Sequence, residues 1–411
     1  MIEGGGIPSH VPPGLVRDFS FWSAPGMAPT PNGDPQAALS VLHSGPPIFY
    51  APNNTLDGHG TWVVTRAEDQ RRVLQDAETF SSHRRIFSSK LGEDWPLVPL
   101  ELDPPEHAPF RRLLNPLFGP ARMNAMEAGA RARAARMIEA LKPAGSCDVM
   151  EDFAFPFAVG IFLQFLGLPE ERGGEFLRWA KGLLHGAEPA VRAAAARAII
   201  AYLKELADHR RREPGEDFMT FVVQAQVNGR PLTDEEIRGM SVLIFVAGLD
   251  TVAAAIGFDL SHLARRPEDQ SRLRADPSLI RNAVEELLRA YPTVQMIRVA
   301  RRDVELHGVQ IKAGDYVSCA TMIANRDPLE FPDPDRIDLA RENNRHVAFA
   351  YGPHRCIGSH LARRELVIAL EEWLARLPPF RIKPDTAPVT FGGHVFGISR
   401  LVLDWSAGAV P

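Results

Sequence analysis

The chain has 411 residues, 45% hydrophobic and 24% charged, with a net charge of -5. That length predicts two packed lobes and not one simple core, and the mild negative charge gives no reason to expect nucleic acid or an acidic membrane as partner. Three dispersed cysteines, Cys147, Cys319 and Cys356, exclude a disulfide frame and fit a reducing, cytoplasmic setting.

Residues 1–60 are rich in Pro and Gly and read as loop, with neither the basic nor the apolar segment of a secretory signal. TWVVTRA (61–67) predicts a strand and 67–78 a short helix. Helical patterning then dominates from 119 to 267, in stretches 121–140, 153–167, 175–185, 189–212 and 233–264. Pro156, Pro169 and Pro214 mark breaks or first turns. A helix at 277–291 follows, then two strands joined by turns (299–320), a Pro/Asp-rich meander (325–348), a helix at 359–377 and closing strands. The fold class is mainly α, with a helix-rich lobe over 119–291 and β-rich parts near 45–70, 299–320 and 378–405. The apolar run 241–260 is long enough to span a bilayer, but Asp250 at its centre and the lack of flanking anchors favour a buried core helix, so no membrane is expected. No Gly-x-Gly-x-x-Gly follows a strand, so no nicotinamide or flavin domain is expected.

The most informative segment is FAYGPHRCIG, residues 349–358. Its glycines, Gly352 and Gly358, allow a tight turn and close approach to a flat partner, and the helix starting near Gly358 favours negative charge on Cys356. Phe349 supplies an apolar wall. A thiolate so placed suits an axial ligand of haem iron. The alternatives are a buried structural cysteine and a zinc site of His354, Cys356 and His360, which lacks a second thiolate at finger spacing. Glu286 and Arg289, in EELLR, stand one turn apart and can pair. Asp250 and Thr251, in AGLDT, are costly inside an apolar helix unless they have a task; the alternative is a helix-bending Thr and a structural ion pair.

The Phe-x-x-Gly-x-x-x-Cys-x-Gly loop resembles that of the cytochrome P-450 superfamily. LELDPPEHAPFRR, FLGLPEE, QVNGRPLT, FVAGLDTV, EELLR, VELHGVQIKAGD and CIGSHLARREL extend the resemblance over most of the chain, closest to the bacterial camphor 5-monooxygenase group. It implies one catalytic domain over 1–411, a triangular helical prism with haem b between a long central helix and the Cys loop. Cys356 would be the metal ligand, with Phe349, Ala350 and Gly358 around it. Asp250 and Thr251 would deliver protons beside an O2 groove at Ala247 and Gly248. His107, Arg111, Arg298 and His354 would hold the propionates, and Glu286 and Arg289 would tie their helix to the meander. The substrate wall would comprise Ile86, Trp95, Leu97, Leu100, Leu243, Val246, Val294, His394 and Val395, with Val294 also against the haem. Trp95 takes the place of a ketone-binding Tyr, Leu100 that of a Thr and Ile86 that of a Phe. Met296 replaces an Asp near the propionates, and Ile337 a Phe in the meander. The resemblance implies a monooxygenase that hydroxylates an unactivated C–H bond of a small hydrophobic substrate, a terpenoid or norisoprenoid. Electrons would come from a 2Fe–2S ferredoxin and a separate NADH-dependent flavin reductase. The ferredoxin would dock on a basic face of Arg111, Arg112, Arg355, Arg363 and Arg364. The alternatives are a peroxide-driven peroxygenase, a non-catalytic haem sensor or carrier, and a thiol hydrolase using Cys356.

Overall fold

The computed structural model describes residues 6–21, 36–55, 58–83, 91–186 and 188–405. Its helix-rich part contains Pro120–Leu141, Phe155–Leu166, Gly173–His185 and Pro189–Arg212, close to the sequence bounds. Pro120, Pro156 and Pro189 sit in first turns, where a missing N–H costs nothing. Short helices His107–Leu114, Phe218–Gln224 and Pro267–Ala275 escaped the periodicity reading because each is too brief to show a full apolar stripe.

The central helix is interrupted at AGLDT, the segment where a bend was expected. A capping box, Thr233 with Glu236, starts Asp234–Ala247, but residues 248–250 leave the helix before Thr251–Arg265 resumes it. Two contacts explain the break. The Phe162 ring lies 2.3 Å from where a Cβ on Gly248 would be, and the Thr251 hydroxyl donates back to the Ala247 carbonyl at 3.3 Å. Among the described residues, Asp234–Arg265 is the stretch long and apolar enough to cross a membrane, and 72% of its most apolar window is buried within the protein.

A five-stranded sheet orders Ile48–Ala51, Thr61–Val64, Tyr316–Ala320, Gln295–Ala300 and Phe80–Ser81. Tyr316–Ala320 runs parallel to Thr61–Val64 and antiparallel to Gln295–Ala300, with Ala320 opposite Gln295. The region read as two strands (299–320) in fact holds the end of Gln295–Ala300, the hairpin Val304–Leu306 with Val309–Ile311, and Tyr316–Ala320. Polar interruptions at 301–303 and 312–315 cut it into shorter pieces. A three-stranded sheet joins Arg381–Ile382, Val402–Asp404 and Ser146–Asp148. The apolar core falls into one large cluster among the helices and smaller ones on the five-stranded sheet.

The meander is fixed by a buried clamp on the helix Ile280–Ala290. Arg289 and Glu286, both without exposed side-chain surface, form a two-pronged ion pair at 2.8 Å on each prong. Arg289 also donates to the carbonyls of Asn325, Pro334 and Arg336, and Glu286 accepts from the Asp338 N–H, Arg341 and Asn344. Meander and helix are thus one hydrogen-bonded body.

Candidate active site

The Cys loop is wound by three backbone bonds: Ala350 N–H to Val347 O at 2.9 Å, Arg355 N–H to Gly352 O at 3.0 Å and Cys356 N–H to Phe349 O at 2.9 Å. Gly352 has φ +71, and a Cβ there would stand 2.5 Å from the Leu74 carbonyl, so the loop lies directly on the helix Ala67–Gln75. The Cys356 sulfur is exposed to the cavity. The Gly358 N–H and the positive charges of Arg111, Arg355 and Arg363 favour a negative charge on it, against the desolvation of the surrounding protein.

The Cys loop and the break in the central helix face each other across a cavity of ≈ 410 Å³. Of the three cysteines only Cys356 opens onto it. Cys147 and Cys319 lie in strands, where burial pushes each thiol up to about 12. Phe349, Ala350, His354 and Gly358 line the floor, and Ala247, Gly248 and Thr251 the roof. Leu97, Leu100, Leu243, Val246, Val294, His394 and Val395 complete an apolar side wall. The loop carrying Leu97 approaches the central helix closely, with the Pro96 carbonyl 2.1 Å from where a Gly239 Cβ would be. Asp250 does not line the cavity but is buried at the start of Thr251–Arg265.

One edge of the cavity is cationic. The His107 and His354 rings meet at 4.3 Å between centroids, tilted by 54°, and Arg111 and the buried Arg298 act on both electrostatically. Burial, then Arg111, brings His107 to about 4; burial, then Arg298, His107 and Arg111, brings His354 to about 2. Both imidazoles are therefore neutral, and Nε2 of each is buried without a hydrogen-bond partner. Among the described residues neither Arg111 nor Arg298 forms an ion pair with a carboxylate. A buried cation, a half-buried one and two orphaned imidazole nitrogens form a site suited to a pair of carboxylates.

Two expectations change, and one lies beyond the described residues. Trp95 is buried but off the cavity wall: its indole N–H donates to Glu93 at 2.7 Å, and Arg238 lies over its ring. Ile86 lies outside the described residues. Of the five arginines expected on a basic face, Arg363 is paired with Glu285 and Arg364 with Glu127, and Arg111 points into the cavity. Arg112 and Arg355 remain exposed. The sequence reading also missed Arg192, Gln295 and Glu365 on the wall. Glu365 was legible: with Gly358, Leu361 and Ala362 it completes an i, i+3, i+4, i+7 face of Ser359–Arg376. Burial pushes its carboxyl well above the usual range, and its Oε2 has no partner.

A family model described as Cytochrome P450 matches residues 176–392. The probable cytochrome P450 127A1 of Sinorhizobium fredii (strain NBRC 101917 / NGR234) is 61% identical over 402 residues, covering 97% of each chain. The chain belongs to the cytochrome P450 family. This P450 is also 36% identical to the nocardicin C N-oxygenase of Nocardia uniformis subsp. tsuyamanensis, over 91% of this chain and 98% of that one. The crystal structure of CYP101J2 matches with a TM-score of 0.87 at 33% identity, over 98% of this chain and 100% of that one. That of CYP101C1 matches at 0.86 and 36%, with the same coverage. The chain is thus a bacterial P450 monooxygenase of the P450 fold, close to the CYP101 group, whose cofactor is haem b held by a cysteine thiolate and whose co-substrate is O2. The apolar cavity, its single cysteine and the orphaned cationic edge fit that group.

Proposed function

We propose that this P450 hydroxylates an unactivated C–H bond of a compact, apolar molecule of the terpenoid or norisoprenoid class, using one catalytic domain over 1–411. The observation that carries this reading is the cavity itself: Cys356 on the floor, Thr251 and the helix break on the roof, and an almost wholly aliphatic side wall. Haem, when bound, supplies O2 binding and reductive O–O cleavage.

The chain's own residues do the rest. Cys356 holds the metal; Arg111, Arg298 and the Nε2 atoms of His107 and His354 take the propionates. Thr251 places a hydroxyl at the roof, its back-bond to Ala247 long enough at 3.3 Å to exchange for a bond to an incoming acceptor. Asp250, buried beside it, feeds protons to that hydroxyl. Leu97, Leu100, Leu243, Val246, Val294 and Val395 exclude water and orient the substrate by shape. With the Trp95 indole committed to Glu93, a polar anchor for the substrate falls to His394. Electrons come from a 2Fe–2S ferredoxin, re-reduced by a separate NADH-dependent flavin reductase, and the exposed Arg112 and Arg355 steer its acidic face. The setting is cytoplasmic.

The test is a screen of terpenoids and norisoprenoids against the holoenzyme, read as a shift of haem spin state, followed by product identification in the ferredoxin-driven reaction. Binding and hydroxylation of a compact terpenoid supports the reading. A panel with no spin-state response, alongside a response to large polar molecules, overturns it.

A further inference from the structure

On the helix Ile280–Ala290, Glu285 stands beside Glu286 of the meander clamp but holds different partners. Its carboxylate accepts Nε and Nη2 of Arg363 at 2.6 and 2.9 Å, and Nε2 of His346 at 3.0 Å. His346 Nδ1 accepts the Ala348 N–H at 3.2 Å, which puts the ring proton on Nε2, facing Glu285. Arg363 in turn lies 4.4 Å over the ring of Phe349, whose carbonyl receives the Cys356 N–H. Three chain segments therefore meet on one carboxylate just outside the Cys loop. Burial opposes its charge, yet the hydrogen bonds from His346 and Arg363 and the positive charge of Arg363 hold it down at about 2.

This arrangement exceeds what a brace requires. A two-pronged Arg–carboxylate fork fixes the plane of the guanidinium, and here that fork lays the cation on a ring that walls the cysteine. Arg363 is one of three cations, with Arg111 and Arg355, that act electrostatically on the Cys356 sulfur. Arg355 is exposed and Arg111 faces the propionate edge, so Arg363 is the cation that a fork locks in place on the loop side.

We propose that Glu285, Arg363 and His346 form a positioning clamp that pins one compensated cation against Phe349 and thereby sets how strongly the Cys356 sulfur donates to haem iron, a proposal that rests on the reading of Cys356 as ligand. The sign follows from electrostatics. Without the Arg363 charge the sulfur meets an uncompensated carboxylate, donates more, and favours ferric iron. Without the Glu285 charge the cation is uncompensated, and the ferrous state gains.

The test is potentiometric titration of the holoenzyme in Glu285→Gln, Arg363→Met and Arg363→Lys. Glu285→Gln, which keeps the shape, raises the reduction potential, and Arg363→Met lowers it. Each changes the one-electron equilibrium by up to about tenfold, roughly 59 mV, while Arg363→Lys stays near wild type. A brace alone would loosen the loop in both charge variants and shift both potentials the same way; that outcome, or unchanged potentials, overturns the clamp. A wild-type adduct with a nitrogen-ligated spectrum overturns the Cys356 reading and the clamp with it.

Discussion

Replacing Glu286 by Gln tests how the meander is held. The carboxylate takes both prongs of Arg289 at 2.8 Å, Arg341 Nε at 3.0 and 3.1 Å, the Asp338 N–H at 2.9 Å and Asn344 Nδ2 at 3.0 Å. A Gln of the same shape turns one oxygen into a donor pointing at donors, and removes the only carboxylate paired with Arg289 among the described residues. Breaking a buried pair by removing one partner costs about 3–5 kcal/mol. Set against a total stability on the order of 5–15 kcal/mol, that is a large fraction. Arg289→Met should cost a comparable amount by another route, because three carbonyls (Asn325, Pro334, Arg336) lose their donor while Glu286 keeps Arg341. The double variant should therefore not recover the loss, unlike an isolated pair replaced by apolar groups. Urea denaturation of the holoenzyme, with haem content per protein, measures both. A wild-type midpoint and slope for Glu286→Gln, or recovery in the double variant, would refute the clamp as the meander's anchor.

Thr251→Ala should divert reducing equivalents from product to peroxide while leaving the substrate-induced spin shift intact, and Thr251→Ser should restore coupling; electron-to-product stoichiometry reads this. Gly248→Ala drives a Cβ into the Phe162 ring and should cost about 1–3 kcal/mol, with part of the loss recovered in the pair with Phe162→Leu, as urea midpoints show. His107, brought down from 6.5 to about 4, leaves the folded state binding fewer protons than the unfolded one in that interval. Its contribution is whole above pH 6.5 and falls as pH drops toward 4, so haem-free protein should lose stability over that window, with a shallower slope in His107→Asn. Arg112→Glu with Arg355→Glu should raise the KM for ferredoxin and flatten its salt dependence, whereas Arg364→Glu, which loses its pairing with Glu127, should act mainly on stability.

How much of this was legible in the residues depended on whether the signal was local. The Cys loop, the EELLR pair and the long periodic helices carry their meaning in fixed spacing, and the structure places them as read. The break at residues 248–250 was marked by AGLDT and its local Thr251–Ala247 bond, but the other contact there, the Phe162 ring, comes from a distant helix. Trp95 illustrates the converse. Its position by resemblance suggested a substrate contact, and Glu93, two residues away, captures its N–H instead. The basic face was misread because helix charges do not announce their partners: Glu127 and Glu285 reach Arg364 and Arg363 from other helices.

Those two glutamates also change what the Cys loop has to accomplish. The Cys356 sulfur opens onto the cavity, and the arginines nearest it in sequence are either exposed or paired with a carboxylate. The protein therefore modulates the sulfur through compensated charge held at fixed geometry. Adjacent positions on one helix divide that work. Glu286 faces the meander and fixes where the loop begins; Glu285 faces the loop and fixes the cation on its far side. Exchanging either for Gln should separate the two tasks, the first lowering stability and haem retention, the second moving the reduction potential.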